Sequence, residues 1–265
     1  TSVPRDGGTD PAFRLRGLTL GYGAEPVIRD LDLDIPAGKT TVFIGANGCG
    51  KSTILRALGR QLTPTSGTIE VGGRDLARVK ARDHARSVAF LPQSPLVPEG
   101  LTVAELVARG RHPHRRWWGG GDDNEGVVAE ALDMTDTASL AHRRVDELSG
   151  GQRQRAYVAM VLAQDTEYVL LDEPLNNLDM KHSVHMMQHL QRAARELGRT
   201  IIIVLHDINF AAAYSDYIVA MEDGRIVEHG TPDVIISEEV LTRVFRTPVS
   251  VMDGPTGRVA VYYRT

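Results

Sequence analysis

Cysteine is nearly absent from this chain, which carries one, Cys49, among 265 residues. A single cysteine cannot form a disulfide within its own chain, so the sequence excludes a disulfide-stapled fold. The composition is compatible with a reducing compartment. The fold must therefore depend on a hydrophobic core, which a chain of this length is large enough to bury.

Long apolar segments are also missing. No run reaches the about 18 apolar residues that a membrane-spanning helix needs, and the longest candidates are Tyr168–Leu171 and Ile201–Leu205. Residues 1–11 lack the apolar core of a signal peptide, and we expect them to form a flexible leader. If the protein serves a membrane, the sequence predicts that it does so through a partner.

A broad excess of positive charge is absent as well. Lys and Arg number 30 against 34 Asp and Glu, which gives a net charge of −4 and an isoelectric point near 6.1. This balance argues against a broadly basic nucleic-acid binder, and we expect no nucleic acid as a partner. Hydrophobic residues make up 42% and charged residues 24%, which excludes collagen-like and disordered classes.

The apolar pattern changes along the chain between strand and helix periods. Between Phe13 and Ile35, apolar and polar residues alternate with a period of two, which predicts strands with one solvent-exposed face. Compact apolar strands are predicted at 41–44, 168–171 and 201–205, with helical spacing between them. Strands that alternate with helices indicate βαβ units and a parallel sheet. Residues 101–163 are mostly helical in pattern, and a polar, glycine-rich stretch at 119–126 is predicted to be a surface loop.

Residues 45–52 read Gly-Ala-Asn-Gly-Cys-Gly-Lys-Ser and match the phosphate-binding pattern G-x-x-x-x-G-K-[ST]. The motif follows a predicted strand and opens a predicted helix, which is the context it requires. Its glycines allow backbone N–H groups to turn toward phosphates, and the helix dipole favours the same anion. Lys51 is expected to pair with the β- and γ-phosphates, and Ser52 to offer its hydroxyl to Mg²⁺.

A second motif joins the apolar strand Tyr168–Leu171 to Asp172 and Glu173. A strand that ends in Asp is where P-loop proteins hold Mg²⁺. Glu173 would emerge beside the phosphate site, where a carboxylate can polarise a water for attack on the γ-phosphate. Alone, the acid pair is equally compatible with capping a helix.

The third motif is Leu-Ser-Gly-Gly-Gln at residues 148–152. With this motif, the chain resembles an ATP-binding cassette (ABC) ATPase, the motor subunit of ABC transporters, from about Phe13 to Val244. The resemblance implies an α/β P-loop NTPase cassette at 12–245, with a mixed or parallel core sheet and an N-terminal antiparallel β subdomain. It also implies a helical subdomain inserted at about 95–163, followed by a short C-terminal extension at 246–265.

The same resemblance implies ATP and Mg²⁺ as cofactors and assigns roles to individual residues. Tyr22 would stack on adenine, Gln93 would sense metal and water, Asp179 would lie in the D-loop, and His206 would contact the γ-phosphate. Tyr22, Gln93 and His206 also fit plainer roles, as a strand-edge aromatic, a loop residue and a helix cap or core residue. The implied nucleotide-binding set is Tyr22, Gly45, Asn47, Gly48, Cys49, Gly50, Lys51, Ser52 and Thr53. The implied Mg²⁺ ligands are Ser52, Gln93 and Asp172, and the implied catalytic residues are Glu173, His206 and Gln93.

The sequence departs from the family's usual pattern in two motifs. Cys49 occupies a position that is often Ser; it should bind through its backbone all the same, and its thiol could be oxidisable. Asn176 and Asn177 stand where Ser-Ala is common, which leaves the contacts of the D-loop across a dimer open.

In the family, the signature reaches an ATP held by a second cassette. Here that segment comprises Ser149, Gly150, Gly151 and Gln152, and its helix start offers a second anion site. One chain contains one copy of each motif, so the resemblance implies a sandwich dimer with a second copy of itself. It also implies integral membrane permease subunits as partners, a substrate-binding protein as an indirect one, and a peripheral location on the cytoplasmic face of the cell membrane.

The segments 172–184, 205–211 and 109–113 resemble iron(III)–siderophore importer ATPases in particular. Importers of vitamin B12, haem or other metal chelates remain alternatives, because the cassette never touches the cargo. A soluble ABC ATPase of iron–sulfur assembly is a further alternative, since it too is a lone cassette. Sustained heptads are absent, which argues against the DNA-repair types.

A basic, aromatic segment within 101–118 is the candidate surface for docking a permease, because Trp and Arg are favoured interface anchors. An exposed basic loop with locally packed Trp rings is one alternative, and a metal site at His112 and His114 is another, although no Cys or carboxylate ligand lies nearby in the sequence. The candidate residues are Arg109, Arg111, His112, His114, Arg115, Arg116, Trp117 and Trp118.

Overall fold

Strands and helices alternate through the computed structural model, which describes residues 10–23, 25–114, 124–254 and 257–262. The strands are β1 (Phe13–Gly21), β2 (Pro26–Ile35), β3 (Thr40–Gly45), β4 (Ser66–Val71), β5 (Arg74–Asp75), β6 (Val88–Leu91), β7 (Tyr168–Asp172), β8 (Thr200–Val204), β9 (Tyr217–Glu222), β10 (Arg225–Gly230), β11 (Val249–Gly254) and β12 (Gly257–Tyr262). The helices are α1 (Lys51–Leu58), α2 (Ala81–Ser87), α3 (Val103–Arg109), α4 (Asn124–Met134), α5 (Gly150–Ala163), α6 (Met180–Leu197), α7 (Ile208–Tyr214), α8 (Pro232–Ile235) and α9 (Glu238–Phe245).

The central sheet has the strand order β10-β9-β3-β8-β7-β6. Its strands from β9 to β6 are parallel, and β10 is antiparallel to β9. Neighbouring residues along a strand enter opposite hydrophobic clusters: Ile201 and Ile203 face one cluster, and Ile202 and Val204 face the other. Both faces of the sheet are therefore buried, which explains why its strands read as unbroken apolar runs.

A second sheet, antiparallel with the order β2-β1-β4-β5, covers one face of the core. Its inward residues alternate with exposed ones, as in Leu31 and Leu33, which flank the exposed Asp32. The period of two in the sequence predicted this arrangement, and the α/β architecture with an N-terminal antiparallel layer is confirmed.

The carboxyl ends of three neighbouring parallel strands meet at one edge of the central sheet. β3 ends at Gly45, β7 ends at Asp172, and the register sets Asp172 opposite Val204 at the end of β8. In open α/β sheets, ligands bind at this edge. The loops that follow these strands carry the phosphate-binding motif, the acid pair and His206.

Helices α3, α4 and α5 fill the segment between β6 and β7 and pack on one another. The predicted surface loop at 119–126 is wrong in its last part, because α4 begins at Asn124. A polar residue at a helix start followed by Glu125 in the first turn is a helix-initiation signal that the glycine content masked. Residues 119–123 lie outside the described residues.

The C-terminal strands β11 and β12 form a hairpin that packs on α7 and α9. The Asn209 side chain, on α7, accepts from the Ala260 N–H at 2.8 Å and donates to its carbonyl at 3.3 Å. The predicted extension is thus tied to the helix that follows His206. Within the described ranges, each helix is too short or too polar to cross a bilayer.

Candidate nucleotide-binding and catalytic site

The loop after β3 has a backbone that only glycine can adopt at two of its positions. Gly45 has φ +145°, and a Cβ there would lie 2.3 Å from the Met221 carbonyl oxygen. Gly50 has φ +103°, and its Cβ would lie 2.4 Å from the Ile28 Cδ1 atom. Both sites combine positive φ with close approach, so a side chain would strain the loop. The glycines thus allow the tight turn that opens α1 at Lys51.

The Lys51 ammonium lies inside this loop. It donates to the carbonyl oxygens of Gly45 at 2.8 Å and Ala46 at 2.9 Å, and the side chain is buried. The Cys49 sulfur lies 3.7 Å from the same ammonium and is itself buried, which restricts access of oxidants to the thiol. The loop therefore holds a positive charge at the start of α1, where an anion is favoured.

The Ser52 hydroxyl and the Asp172 carboxylate lie in contact beside the glycine-rich loop. The Ser52 hydroxyl donates to Asp172 Oδ1 at 2.8 Å, and Asp172 Oδ2 is buried with no hydrogen-bond partner among the residues that the structure describes. Burial raises the pKa of Asp172, and the negative charge of the neighbouring Glu173 raises it further. The hydrogen bond from Ser52 lowers this pKa but does not outweigh the burial. A hard cation takes oxygen ligands, so the unpartnered carboxylate oxygen and the hydroxyl fit Mg²⁺.

Glu173 is the most heavily bonded acid of the site. Its Oε2 accepts from Gln93 Nε2 at 2.7 Å and Asn176 Nδ2 at 2.6 Å, and His206 Nε2 lies 2.7 Å from Oε1. Burial by itself would raise the pKa of Glu173, but the donors Asn176, Gln93 and His206 together hold it below the usual value. The carboxylate is therefore directed by three side chains, and their hydrogen bonds favour its ionised form.

Gln93 and His206 thus meet on Glu173, whereas the resemblance places them at the metal and the γ-phosphate. Both side chains also line a cleft of 610 Å³ beside the glycine-rich loop. From this cleft they can reach a nucleotide as well as Glu173. The cleft is lined by Tyr22, Val27, Asn47, Gly48, Gly50, Lys51, Ser52, Thr53, Gln93, Glu173 and His206.

Tyr22 stands at the outer end of the cleft with 58% of its surface exposed. Its hydroxyl accepts from Arg56 at 3.1 Å, and the Arg56 guanidinium carbon lies 5.7 Å from the ring centre. The open ring suits stacking on a base. Arg56 was not among the residues predicted from sequence, and its place on the exposed side of α1 gave no signal of this contact.

The signature segment stands apart from this cleft. Ser149 caps α5: its hydroxyl accepts from the Gln152 N–H, and the Gln152 side chain accepts from the Ser149 N–H. A Cβ on Gly151 would lie 2.7 Å from the Asn177 carbonyl oxygen, so the start of α5 packs on the turn after β7. No signature residue lines the 610 Å³ cleft in the described part of the chain.

Asp179 caps α6 and turns its carboxylate toward its own chain. It accepts from the His182 N–H at 2.9 Å, and its Oδ1 lies 2.7 Å from His182 Nδ1. These contacts lower the pKa of Asp179. The predicted D-loop acid is thus a helix cap in the single chain, and its contact across a dimer stays a prediction.

The predicted docking segment is divided by the structure. Arg111 is buried, not exposed: it donates to the Ala163 carbonyl at 3.1 Å and to the Asn124 side chain at 2.9 Å. The basic pattern misled here because Arg111 ties the end of α5 to the start of α4. Arg109 and His112 are exposed. The half-buried His114 lies 2.8 Å from the Gln164 carbonyl, and residues 115–118 lie outside the described ranges.

Comparison with known proteins gives concordant results. Residues 28–176 match the family described as ABC transporter. The petrobactin import ATP-binding protein FatE of Bacillus anthracis is 49% identical over 241 residues, which cover 91% of this chain and 96% of FatE. The iron(3+)-hydroxamate import ATP-binding protein FhuC of Bacillus subtilis is 41% identical over 239 residues, covering 90% of this chain and 89% of FhuC.

Solved structures extend the likeness to three dimensions. An inward-facing transporter described as of the metal-chelate type contains a chain with a TM-score of 0.79 and 27% identity, covering 96% of this chain and 97% of that one. The dimeric cassette MJ0796 with bound ADP and Pi has a TM-score of 0.76 and 26% identity, and the match covers 83% of this chain and 98% of that one. The chain belongs to the ABC transporter family, as one of its ATP-hydrolysing subunits.

Proposed function

We propose that this chain is the motor subunit of an importer for iron(III)–siderophore complexes and works on the cytoplasmic face of the cell membrane. The relatives named for import of petrobactin and of iron(3+)-hydroxamate support this cargo class, as does the metal-chelate transporter. The cassette itself contacts ATP and the permease, so the cargo is recognised by other subunits.

ATP binds in the 610 Å³ cleft in this proposal. The Lys51 ammonium leaves its carbonyl partners for the β- and γ-phosphates, and the N–H groups of residues 45–52 surround them. Tyr22 stacks on the adenine ring at the open end. Phosphate binding draws on charge-assisted hydrogen bonds, which are about twice as strong as neutral ones.

Ser52 and Asp172 hold Mg²⁺ in this proposal, with Gln93 as the third ligand. The buried, unpartnered Asp172 Oδ2 atom supports the assignment. The cation would neutralise charge on the phosphate oxygens as the reaction proceeds.

Glu173 is the general base. It accepts a proton from the attacking water, whose oxygen bonds to the γ-phosphorus while the bond from that phosphorus to the β,γ-bridging oxygen breaks. ADP and inorganic phosphate leave. His206 orients the γ-phosphate during the step. The observation that carries this assignment is the directed Glu173 carboxylate, which lies in the same cleft as Lys51 and Ser52.

Two copies of the chain complete two sites. The signature of one copy, with Ser149 capping α5, would close over the ATP of the other, since it does not line its own cleft. ATP then holds the dimer together, and hydrolysis releases it. The resulting rigid-body cycle drives the permease subunits, and a substrate-binding protein delivers the cargo to them.

The test of the whole proposal is a gentle detergent pull-down of the tagged chain from its own membranes, followed by mass spectrometry. We expect polytopic permease subunits to co-purify. The recovered complex, reconstituted with its binding protein, should take up radioactive iron as a ferric siderophore only with ATP. Recovery of soluble scaffold proteins alone would contradict the import function and favour an assembly factor.

A further inference from the structure

The Glu173 carboxylate is held by donors from three separate segments of the chain. Gln93 follows β6, His206 follows β8, and Asn176 lies in the turn that follows Glu173 itself. Gln93 and Asn176 both donate to Oε2, at 2.7 and 2.6 Å, while His206 lies 2.7 Å from Oε1. An ionised carboxylate accepts about four hydrogen bonds, so within the described part of the chain Oε2 is saturated and Oε1 keeps one free acceptor site.

The three donors differ in what else they can reach. Glu173 and His206 line both the 610 Å³ nucleotide cleft and a second cavity of 270 Å³. Gln93 lines the nucleotide cleft, whereas Asn176 lines the second cavity and not the cleft, among the residues that the structure describes. The contact that joins Asn176 to the reaction site is therefore its hydrogen bond to the Glu173 carboxylate.

The local backbone explains why Asn176 can reach back to Glu173. Glu173 has φ +54° and Asn177 has φ +64°, both in the left-handed region, and the Asn176 N–H donates to the Glu173 carbonyl. The chain therefore turns back on itself within a few residues. A non-glycine residue at positive φ is uncommon, so the surrounding contacts keep this turn in place.

We propose that Asn176 is a positioning residue that sets the orientation of the Glu173 carboxylate and directs Oε1 toward the attacking water. The inference rests on the proposed function, in which Gln93 turns to the metal and His206 to the γ-phosphate. Asn176 does not line the nucleotide cleft among the described residues, so its hydrogen bond is the one that we expect to stay on the base during the reaction. A misplacement of about 1 Å can lower a rate by roughly 100-fold, so we expect the loss of this hydrogen bond to lower the rate of hydrolysis.

The test uses the full-length chain and Asn176→Leu, which keeps a similar volume and removes the donor. Asn176→Ser keeps a donor on a shorter side chain. Gln188→Leu is the matched control, because Gln188 is an exposed amide on α6 outside both cavities. Each change is also made in the Glu173→Gln background. The measurements are kcat and KM for MgATP, nucleotide affinity by equilibrium titration, and single-turnover hydrolysis of radiolabelled ATP.

We expect Asn176→Leu to lower kcat about 10-fold, as the loss of one charge-assisted hydrogen bond predicts. KM and nucleotide affinity should stay at the wild-type values, and Asn176→Ser should recover part of kcat. In the Glu173→Gln background, Asn176→Leu should cause no further loss, since a residue that acts through Glu173 has nothing left to orient.

A wild-type kcat for Asn176→Leu, or an equal loss in both backgrounds, would overturn the positioning role. Either result, with Glu173→Gln itself slow, leaves the proposed function intact. If Glu173→Gln alone hydrolyses at the wild-type rate, the base of the proposed function is wrong and the role of Asn176 falls with it.

Discussion

The carboxyl edge of the central sheet and the start of α5 each carry one of the sequence motifs, but they differ in how their polar groups are used. At the sheet edge, Lys51, Ser52 and Glu173 line one cleft. Lys51 is held by carbonyls of its own loop, whereas Ser52 and Glu173 are held by partners from distant segments. At the start of α5, the Ser149 hydroxyl only caps its own helix, outside that cleft. In our proposal, the first region is a nearly complete reaction site, and the second is a binding element that needs a ligand from elsewhere.

This difference explains why the cassette acts as a dimer in our account. A site that held both regions in one chain would need no partner and could hydrolyse ATP without driving motion. Separating them makes the nucleotide part of an interface, so hydrolysis changes the interface itself.

The substitution Glu173→Gln, at the carboxyl edge of the central sheet, is expected to have the largest effect on hydrolysis. The amide keeps the shape of the side chain and removes the base, so kcat should fall about 10²–10⁴-fold. ATP should still bind, and the chain should accumulate as an ATP-bound dimer. Steady-state hydrolysis and size-exclusion chromatography with MgATP measure both effects. Hydrolysis at the wild-type rate would show that Glu173 is not the base.

The substitution Lys51→Ala tests whether the loop after β3 binds the phosphates of ATP. It removes the buried ammonium from the loop, and loss of a charge-assisted hydrogen bond should weaken ATP binding about 10–100-fold. Lys39→Ala is the matched control, because Lys39 is exposed and outside the cleft. Calorimetric titration with ATP compares them. Equal affinity in the two variants would remove Lys51 from the phosphate site.

Arg111→Met tests how α5 is anchored at its far end. The guanidinium donates to the Ala163 carbonyl and to Asn124, and its loss should lower the free energy of unfolding by about 2–3 kcal/mol. Tm should fall by several degrees. The exposed Arg109→Met should leave Tm nearly unchanged. A larger fall in Tm for Arg109→Met than for Arg111→Met would contradict the buried, structural role of Arg111 and favour the surface role predicted from the sequence.

Ser149→Ala should have the smallest effect on stability. Loss of a helix cap costs about 1 kcal/mol, while ATP binding to the single chain should be unaffected because Ser149 lies outside the cleft. Chemical denaturation and ATP titration measure the two quantities. A large drop in ATP affinity would mean that the signature belongs to its own chain's site.

Most of the sheet edge could be predicted from the sequence because its motifs are contiguous. The phosphate-binding loop joins a strand to a helix, and Asp172 and Glu173 directly follow an apolar strand, so local pattern fixes their place. The contact of Asn176 with Glu173 could not be predicted, since it depends on positive φ values at Glu173 and Asn177. Backbone conformation of this kind leaves no periodic signal.

The burial of Arg111 in the helical segment could not be predicted from the sequence for a related reason. Arg111 belongs to a basic run that is typical of an exposed surface, yet it is buried against α5. Its acceptors, the Ala163 carbonyl and the Asn124 side chain, lie in other segments. Only the packing of α3, α4 and α5 shows that this cation has an internal role.

The most direct test of the central division is sedimentation of Glu173→Gln with saturating MgATP, with and without Ser149→Arg. The account predicts a dimer for Glu173→Gln. It predicts a monomer of unchanged ATP affinity for the double variant, because the arginine blocks the signature from the partner's phosphates while the cleft stays intact. A dimer that survives Ser149→Arg, or ATP binding that is lost with it, would contradict the account.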